Sequence, residues 1–149
     1  MNRTTALWIL IVIAVIGLAD ATYLSMNALN STPLVCDIQG LDDCNAVAES
    51  PYSRVIGIPL AVYGLGFYAL AIVLIGYLFA RPSRLAAKLL LLVTALGVLA
   101  SIYFLYLQVY VIEAVCIYCL GSALASFLLC GLSIAVWKRL VPQPPAVIP

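Results

Sequence analysis

Four long runs of apolar residues, separated by polar links, dominate this 149-residue chain. They cover about residues 6–26, 57–80, 86–110 and 115–137. Crossing the hydrocarbon core of a bilayer takes roughly 20 residues of α-helix, so each run is long enough to span a membrane. The sequence therefore predicts an all-α integral membrane protein, built as a bundle of four transmembrane helices.

The composition supports a membrane protein and excludes several functions. Apolar residues make up 66% of the chain and charged residues 9%, whereas soluble domains have about half and a quarter. A net charge of +1 does not favour binding of nucleic acid, and the chain contains no histidine, the commonest metal ligand. We expect one membrane domain over residues 1–140, followed by a Pro-rich disordered tail over 141–149.

Charged residues divide between the two ends of the predicted helices. The basic ends carry Arg3, Arg81, Arg84, Lys88, Lys138 and Arg139. The opposite ends carry the acidic residues of the 27–56 loop and Glu113, and Arg54 is the exception. The positive-inside rule then predicts cytoplasmic termini and an outward-facing 27–56 loop in a bacterial cytoplasmic membrane.

The N-terminal run has a second interpretation. A basic start, an apolar stretch and Ala19-Asp20-Ala21 are also the pattern of a cleaved secretory signal. The apolar run continues past this point and is long enough to span, which favours an uncleaved first helix. The 27–56 loop faces outward in either case.

The outward loop contains a short helical pattern, "LDDCNAVAESP". Asp42 or Asp43 can cap this helix, and Pro51 follows its end. A helix this short is weak alone, so we expect it to lie on the membrane surface as a lid over the bundle.

The five cysteines are unevenly distributed over this topology. Cys36 and Cys44 lie in the outward loop, and Cys116 and Cys119 open the fourth helix on the same side. This side is the oxidising compartment of a bacterium. Cys130 falls near the middle of the membrane, where it is expected to be a small buried apolar residue.

The Cys116-x-x-Cys119 pair begins a predicted helix. Unpaired backbone N–H groups and the positive end of the helix dipole stabilise a thiolate there. The two sulfurs share a helix face, and Cys119 lies about 4.5 Å deeper along the axis. This offset suits a pair that passes electrons from a water-side thiol to a lipid-side acceptor.

The four outward cysteines have two other interpretations, neither of which involves redox function. The four outward cysteines are the right number of ligands for zinc, although no histidine or second CxxC motif supports a metal site. They also suit two structural disulfides that staple a membrane scaffold. Closing the small CxxC ring would stabilise the fold little, which favours a redox relay.

Five features together give the chain a family resemblance: Cys36-x7-Cys44, Ser50, "GIPLAVYGLGFY", "CIYC" at the last helix and "GLADATYL" in the first. The chain resembles the vitamin K epoxide reductase family, in particular its short bacterial members without a fused thioredoxin domain. The resemblance covers about residues 6–138.

The resemblance implies a quinone-coupled thiol oxidase that supports disulfide bond formation. A separate thioredoxin-like dithiol protein would react with Cys36, and Cys44 would form the transient link to Cys116. Cys119 would face a membrane quinone, either ubiquinone or menaquinone, and Ser50 would lie near its ring. No metal is expected.

The sequence departs from the vertebrate enzymes at two places. Those enzymes have an asparagine on the second helix and a tyrosine where this chain has Ala123. The alternative of vitamin K-type quinone reduction without a protein partner is therefore less favoured. The periplasm has another family of four-helix quinone-linked oxidases, but its CxxC precedes the widely spaced pair, the reverse of the order here.

Tyr103, Tyr106 and Tyr110 recur at i, i+3 and i+7 on the third predicted helix. They are candidates for lining the quinone pocket, where ring stacking and a phenol hydrogen bond would both help. An aromatic belt at the membrane interface explains the same pattern equally well.

Overall fold

The computed structural model of the protein describes residues 2–36 and 43–140. In chain order the elements are α1 (Arg3–Asn30), α2 (Cys44–Glu49), a 3-10 turn (Pro51–Ser53), β1 (Arg54–Val55), β2 (Ile58–Pro59), α3 (Leu60–Ala80), α4 (Arg84–Leu107) and α5 (Ile117–Leu140). Helices α1, α3, α4 and α5 are long and apolar enough to cross a membrane, which confirms the four predicted spans. The predicted tail over 141–149 lies outside the described residues.

The four long helices form a closed bundle. α1 packs between α3 and α5, and α4 completes the ring by packing against α3 and α5. The buried face of α1 has a spacing of three and four residues and consists mostly of small side chains: Ala6, Leu7, Leu10, Ala14, Gly17, Ala21 and Ser25. Small residues let neighbouring helices approach closely, so packing contacts hold the bundle together in lipid.

Gly17 and Tyr68 form the tightest contact between α1 and α3. A Cβ atom on Gly17 would overlap the Cε1, Cζ and Cδ1 atoms of the Tyr68 ring. Tyr68 is 1% exposed, and its hydroxyl donates a hydrogen bond of 2.8 Å to the Ser122 carbonyl of α5. The missing side chain of Gly17 therefore makes room for a tyrosine that joins α3 to α5.

We expect Gly17→Ala to destabilise the protein by about 1–3 kcal/mol, the usual cost of overpacking a core. Alanine favours helix over glycine by about 1 kcal/mol, which is too little to offset the clash. Gly76→Ala is the matched control, because a Cβ atom there would meet no atom within 4 Å. Thermal unfolding in detergent measures both, and equal melting temperatures for the two variants would contradict the prediction.

The basic residues collect at one end of the bundle. The Arg3 side chain donates a hydrogen bond to the Leu78 carbonyl, so the start of α1 meets the end of α3. α4 begins at Arg84, and Lys138 and Arg139 lie in the last turn of α5. The charge pattern in the sequence therefore corresponds to one end of the fold, while the side of the membrane that this end faces stays a prediction.

The described part of the segment between α1 and α3 contains short elements of secondary structure. The predicted short helix is present as α2, and its location at a membrane surface stays a prediction. A small antiparallel hairpin, which the sequence did not reveal, pairs Arg54 with Pro59 and Val55 with Ile58. Its turn has positive φ at Ile56 and Gly57, as a two-residue type I′ turn requires. Strands of two residues are too short to show an alternating pattern.

α4 ends in an unusual way. A five-residue π-helical turn, Gln108–Ile112, continues it by one widened turn. The turn lies where the sequence predicted the third helix to end and a short link to begin. Such turns occur frequently at functional sites, and this one brings Gln108 toward the start of α5.

Candidate active site

Cys36 and Cys44 form a disulfide between the end of α1 and the start of α2. Their Cα atoms are 6.4 Å apart, within the ordinary range for a disulfide. Cys116 and Cys119 are thiols. The zinc alternative would need thiolates at Cys36 and Cys44, whose sulfurs are instead bonded to each other.

Hydrogen bonds fix the chain just before Cys36. The Asn45 side chain accepts from the Leu34 N–H at 2.7 Å and donates to the Leu34 carbonyl at 3.2 Å. The Tyr118 hydroxyl donates to the Val35 carbonyl at 2.8 Å. Tyr118 also packs on Tyr23 of α1, with ring centroids 5.1 Å apart. These contacts hold the disulfide against the C-terminal part of α1 and the start of α5.

The disulfide and the thiol pair meet in one small apolar core. Cys44 is 0% exposed and Cys116 is 1% exposed, and both belong to a cluster with Leu34. Cys36 and Cys119 pack on the edge of the same cluster. The fold thus brings together all four cysteines that the sequence singled out, from two parts of the chain more than 70 residues apart. Cys130 lies elsewhere, partly buried on α5.

Cys116 stands immediately before α5, where backbone N–H groups are unpaired. The Cys119 N–H points at the Cys116 sulfur at 3.5 Å, and the Leu120 N–H donates to the Cys116 carbonyl at 3.0 Å. A hydrogen bond from the Cys119 thiol lowers the pKa of Cys116 to about 7, although burial opposes the shift. The carboxylate charge of Asp20 raises the same pKa slightly. Near neutral pH, a larger fraction of Cys116 is therefore thiolate than of an ordinary cysteine, which makes Cys116 the more reactive nucleophile.

Replacing Cys119 should raise the pKa of Cys116 above about 7, because the Cys119 thiol is the principal group that stabilises the Cys116 thiolate. The variants share a Cys36→Ser, Cys44→Ser and Cys130→Ala background, kept reduced with a phosphine. Cys119→Ala is compared with the parent background, and thiolate absorbance is followed against pH. An unchanged midpoint would show that the helix start alone sets the pKa.

A cavity of about 1000 Å³ opens next to the thiol pair. Cys116 and Cys119 form part of its wall, and so does Cys44 of the disulfide. Residues of α3 and α4 line a large part of the rest, including Phe67, Leu70, Val93, Leu96 and Gly97, and the segment between α1 and α3 lines another large part. The space is mostly apolar and large enough for a planar ring with part of an alkyl tail, since small-molecule cavities measure about 300–1,000 Å³.

The remaining predicted site residues take different positions. Ser50 lines the cavity, and its hydroxyl donates to the Val47 carbonyl at 2.8 Å. Tyr103, Tyr106 and Tyr110 are 55%, 55% and 71% exposed and are not among the lining residues that the structure describes. Their predicted contact with a quinone therefore receives no support from this cavity.

Two further polar residues are candidates for a functional role: Asp20, whose position in an apolar helix marks it in the sequence, and Gln108, which sequence reasoning missed. Gln108 is 3% exposed and accepts a hydrogen bond from the Cys116 N–H, a contact that depends on the π-helical turn. Asp20 has a buried carboxylate oxygen, Oδ2, without a hydrogen-bond partner among the described residues. A carboxylate within an apolar helix is a functional candidate from the sequence alone, whereas no local pattern indicates a role for Gln108.

The fold and the site define a class: a four-helix integral membrane protein with a disulfide and a thiol pair packed together beside an apolar cavity. Comparison with protein families agrees with this class. The model of the vitamin K epoxide reductase family matches residues 8–134, and the chain belongs to this family. It is a family of oxidoreductases that carry out disulfide redox chemistry linked to quinones, generally with thioredoxin-like partners.

Proposed function

We propose that this protein is a thiol:quinone oxidoreductase that reoxidises a separate thioredoxin-like dithiol protein and so supports disulfide bond formation. One observation carries the proposal. The buried sulfurs of Cys44 and Cys116 lie in the same apolar cluster, and Cys119 of the thiol pair lines the adjoining cavity. This order suits a relay from a loop disulfide to an acceptor within the bundle.

The first exchange takes place at the loop disulfide. A thiolate of the partner attacks the sulfur of Cys36, which is less buried than Cys44, and Cys44 leaves as a thiolate. The second partner thiol then attacks its own mixed disulfide and releases Cys36. The partner leaves oxidised, and Cys36 and Cys44 hold its two electrons as a dithiol.

The second exchange moves the electrons to the CxxC. Cys44 attacks the Cys116 sulfur of a Cys116–Cys119 disulfide, and Cys119 leaves. Cys36 then attacks Cys44, which restores the loop disulfide and leaves Cys116 and Cys119 as thiols. The redox state of the structure, with Cys36–Cys44 bonded and the CxxC reduced, corresponds to this stage.

The cysteine pair then closes its own disulfide and releases two electrons and two protons. A quinone held in the cavity would supply the oxidant for this step, because its reduction to a quinol takes up two electrons and two protons. Cys119 lines the cavity and is placed to face this acceptor, while Cys116, with its lowered pKa, is available as the attacking thiolate. Ubiquinone and menaquinone both suit an apolar cavity of this volume.

The cavity wall supports an ordinary quinone rather than vitamin K epoxide as the substrate. Ala123 lines the cavity at the position where the vertebrate enzymes have a tyrosine, so the phenol of those enzymes is missing. Ser50, also in the wall, is a candidate for contact with the ring. The exposed Tyr103, Tyr106 and Tyr110 are better suited to an aromatic belt in contact with lipid headgroups.

The proposal includes an orientation in the membrane. The end of the bundle with Arg3, Arg84 and Lys138 faces the cytoplasm, together with both termini. The end with α2, the hairpin and the four cysteines faces the periplasm, where a dithiol partner is accessible. Residues 1–140 act as one membrane domain.

The test uses purified protein in detergent, a reduced thioredoxin-like protein as donor and a short-tailed ubiquinone or menaquinone as acceptor. Quinone absorbance and the donor's thiols are followed together, and one quinol is expected for each donor disulfide. No reduction with several quinones and donors, combined with disulfides that resist dithiols, would instead support a stapled scaffold.

A further inference from the structure

The side chain of Gln108 lines the cavity beside the thiol pair. It is 97% buried, being 3% exposed, and it lines the cavity together with Cys116 and Cys119. The π-helical turn places it there, and its own carbonyl accepts a hydrogen bond of 3.0 Å from the Ala114 N–H. This backbone hydrogen bond joins Gln108 to the segment that leads into Cys116.

The amide of Gln108 has a defined orientation. Its Oε1 accepts a hydrogen bond of 3.0 Å from the backbone N–H of Cys116. A backbone N–H is a donor, so only the oxygen of the amide can face it. The NH2 group, Nε2, therefore lies on the other side of the amide.

Nε2 has no hydrogen-bond acceptor among residues 2–36 and 43–140. A buried amide donor without a partner is costly, so native structures rarely leave one unsatisfied. Within the same residues, Oδ2 of Asp20 is the only side-chain nitrogen or oxygen that is both sealed from solvent and unpaired. The unpaired Nε2 is therefore not sealed, and the open space beside it is the cavity that Gln108 lines.

Two other polar groups in the cavity wall already donate to the protein. The Ser50 hydroxyl donates to the Val47 carbonyl at 2.8 Å, and the Tyr68 hydroxyl donates to the Ser122 carbonyl at 2.8 Å. Gln108 differs from these two residues. Its Oε1 is bonded to the Cys116 N–H, and this bond fixes the position of the free donor Nε2. Such a group is preorganised to bind a carbonyl oxygen without losing another bond.

We propose that Nε2 of Gln108 donates a hydrogen bond to a carbonyl oxygen of the quinone, which makes Gln108 a substrate-binding residue of this site. A quinone ring offers two carbonyl acceptors, and one amide bridges the ligand to the backbone of Cys116. The position of the acceptor is thereby coupled to the position of the thiol pair. The inference rests on the proposed function, because it takes the cavity to be the quinone site.

The experiment measures binding rather than turnover. Fully oxidised protein, which has no electrons to transfer, is titrated with a short-tailed ubiquinone, and the infrared carbonyl stretch of the bound, isotope-labelled ligand is recorded. Gln108→Met should weaken binding about fivefold to tenfold, as the loss of one neutral hydrogen bond predicts. The carbonyl stretch should move to higher frequency, because a hydrogen bond lowers it.

Thr94→Val is the matched control. Thr94 is buried on the same helix, its hydroxyl bonds to the Leu90 carbonyl at 2.9 Å, and it does not line the cavity. Affinity and carbonyl frequency should remain as in the wild type. Gln108→Glu at alkaline pH is the second variant, since an ionised carboxylate can still accept from the Cys116 N–H but has no proton to donate.

The outcomes separate this inference from the proposed function. Wild-type protein that binds and reduces ubiquinone, together with Gln108 variants of unchanged affinity and carbonyl frequency, would overturn the role of Gln108 alone. Wild-type protein that neither binds nor reduces any quinone would overturn both. Weaker binding with a shifted carbonyl band in both Gln108 variants establishes the hydrogen bond.

Discussion

Cys119→Ala should reduce quinone reduction by at least about a thousandfold, the usual effect of removing one member of a group that acts as a unit. Two electrons can leave the CxxC only when Cys116 and Cys119 close a disulfide. A single sulfur at this position has no partner for that bond, whatever donor is supplied. The rate of quinol formation with a reduced dithiol protein measures the effect.

The control for this loss is Cys130→Ala. Cys130 is a partly buried thiol on the same helix, but it does not line the cavity and stands well apart from the four-cysteine cluster. Its removal should leave quinol formation unchanged. Cys119→Ala protein that folds normally and keeps turning over would show that electrons do not pass through the CxxC.

The second large effect is a trapped intermediate. When a mild thiol oxidant such as oxidised glutathione is supplied, Cys36→Ala combined with Cys119→Ala should convert most of the protein to a form with a Cys44–Cys116 disulfide, and the oxidant takes up the two electrons and two protons. The two sulfurs that remain of the four-cysteine cluster are both buried in it, and both thiols that would resolve the bond are absent. Peptide mapping by mass spectrometry under non-reducing conditions identifies the bond directly.

A paired variant tests the choice of Cys44. Cys44→Ala with Cys119→Ala leaves Cys36 and Cys116, and Cys36 lies on the edge of the cluster rather than within it. We expect much less internal disulfide in this variant and a more accessible thiol at Cys36. Equal trapping in the two double variants would mean that the two loop cysteines have interchangeable roles.

The lowered pKa of Cys116 gives the closure of the CxxC disulfide a pH dependence. The thiolate is the attacking form, so the reactivity of Cys116 should rise with pH through a midpoint at about pH 7 and then level off. The group that produces this shift is Cys119, which also lies at the cavity wall. The CxxC thus combines a nucleophile just before the start of α5 with a hydrogen-bond donor one turn further along the chain.

Much of this architecture could be predicted from local sequence. The four spans agree with the structure because the length and polarity of an apolar run are properties of contiguous residues. α2 was predictable from an apolar patch and a following proline, although Asp43 at its N-cap makes no side-chain capping hydrogen bond. The hairpin was not, because two strands of two residues have no periodicity to detect.

The three tyrosines show where helical spacing stops being informative. Their i, i+3, i+7 pattern predicts that Tyr103, Tyr106 and Tyr110 share one face of the third helix, although Tyr110 lies in the π-helical turn that follows α4. Which direction that face points depends on how α4 rotates to pack against α3 and α5. In the structure the face is exposed, and small residues such as Gly97 and Ala100 turn toward the cavity instead.

The sequence by itself determined the class of the protein, the four spans, the division of charge and the presence of two cysteine pairs at one end. Each of these follows from residues close together in the chain. Only the tertiary structure decided that Cys44 and Cys116 share a core, that a cavity adjoins Cys119 and that Gln108 reaches Cys116. These contacts depend on how separate helices pack and on a π-helical turn. No local pattern of side chains predicts either feature.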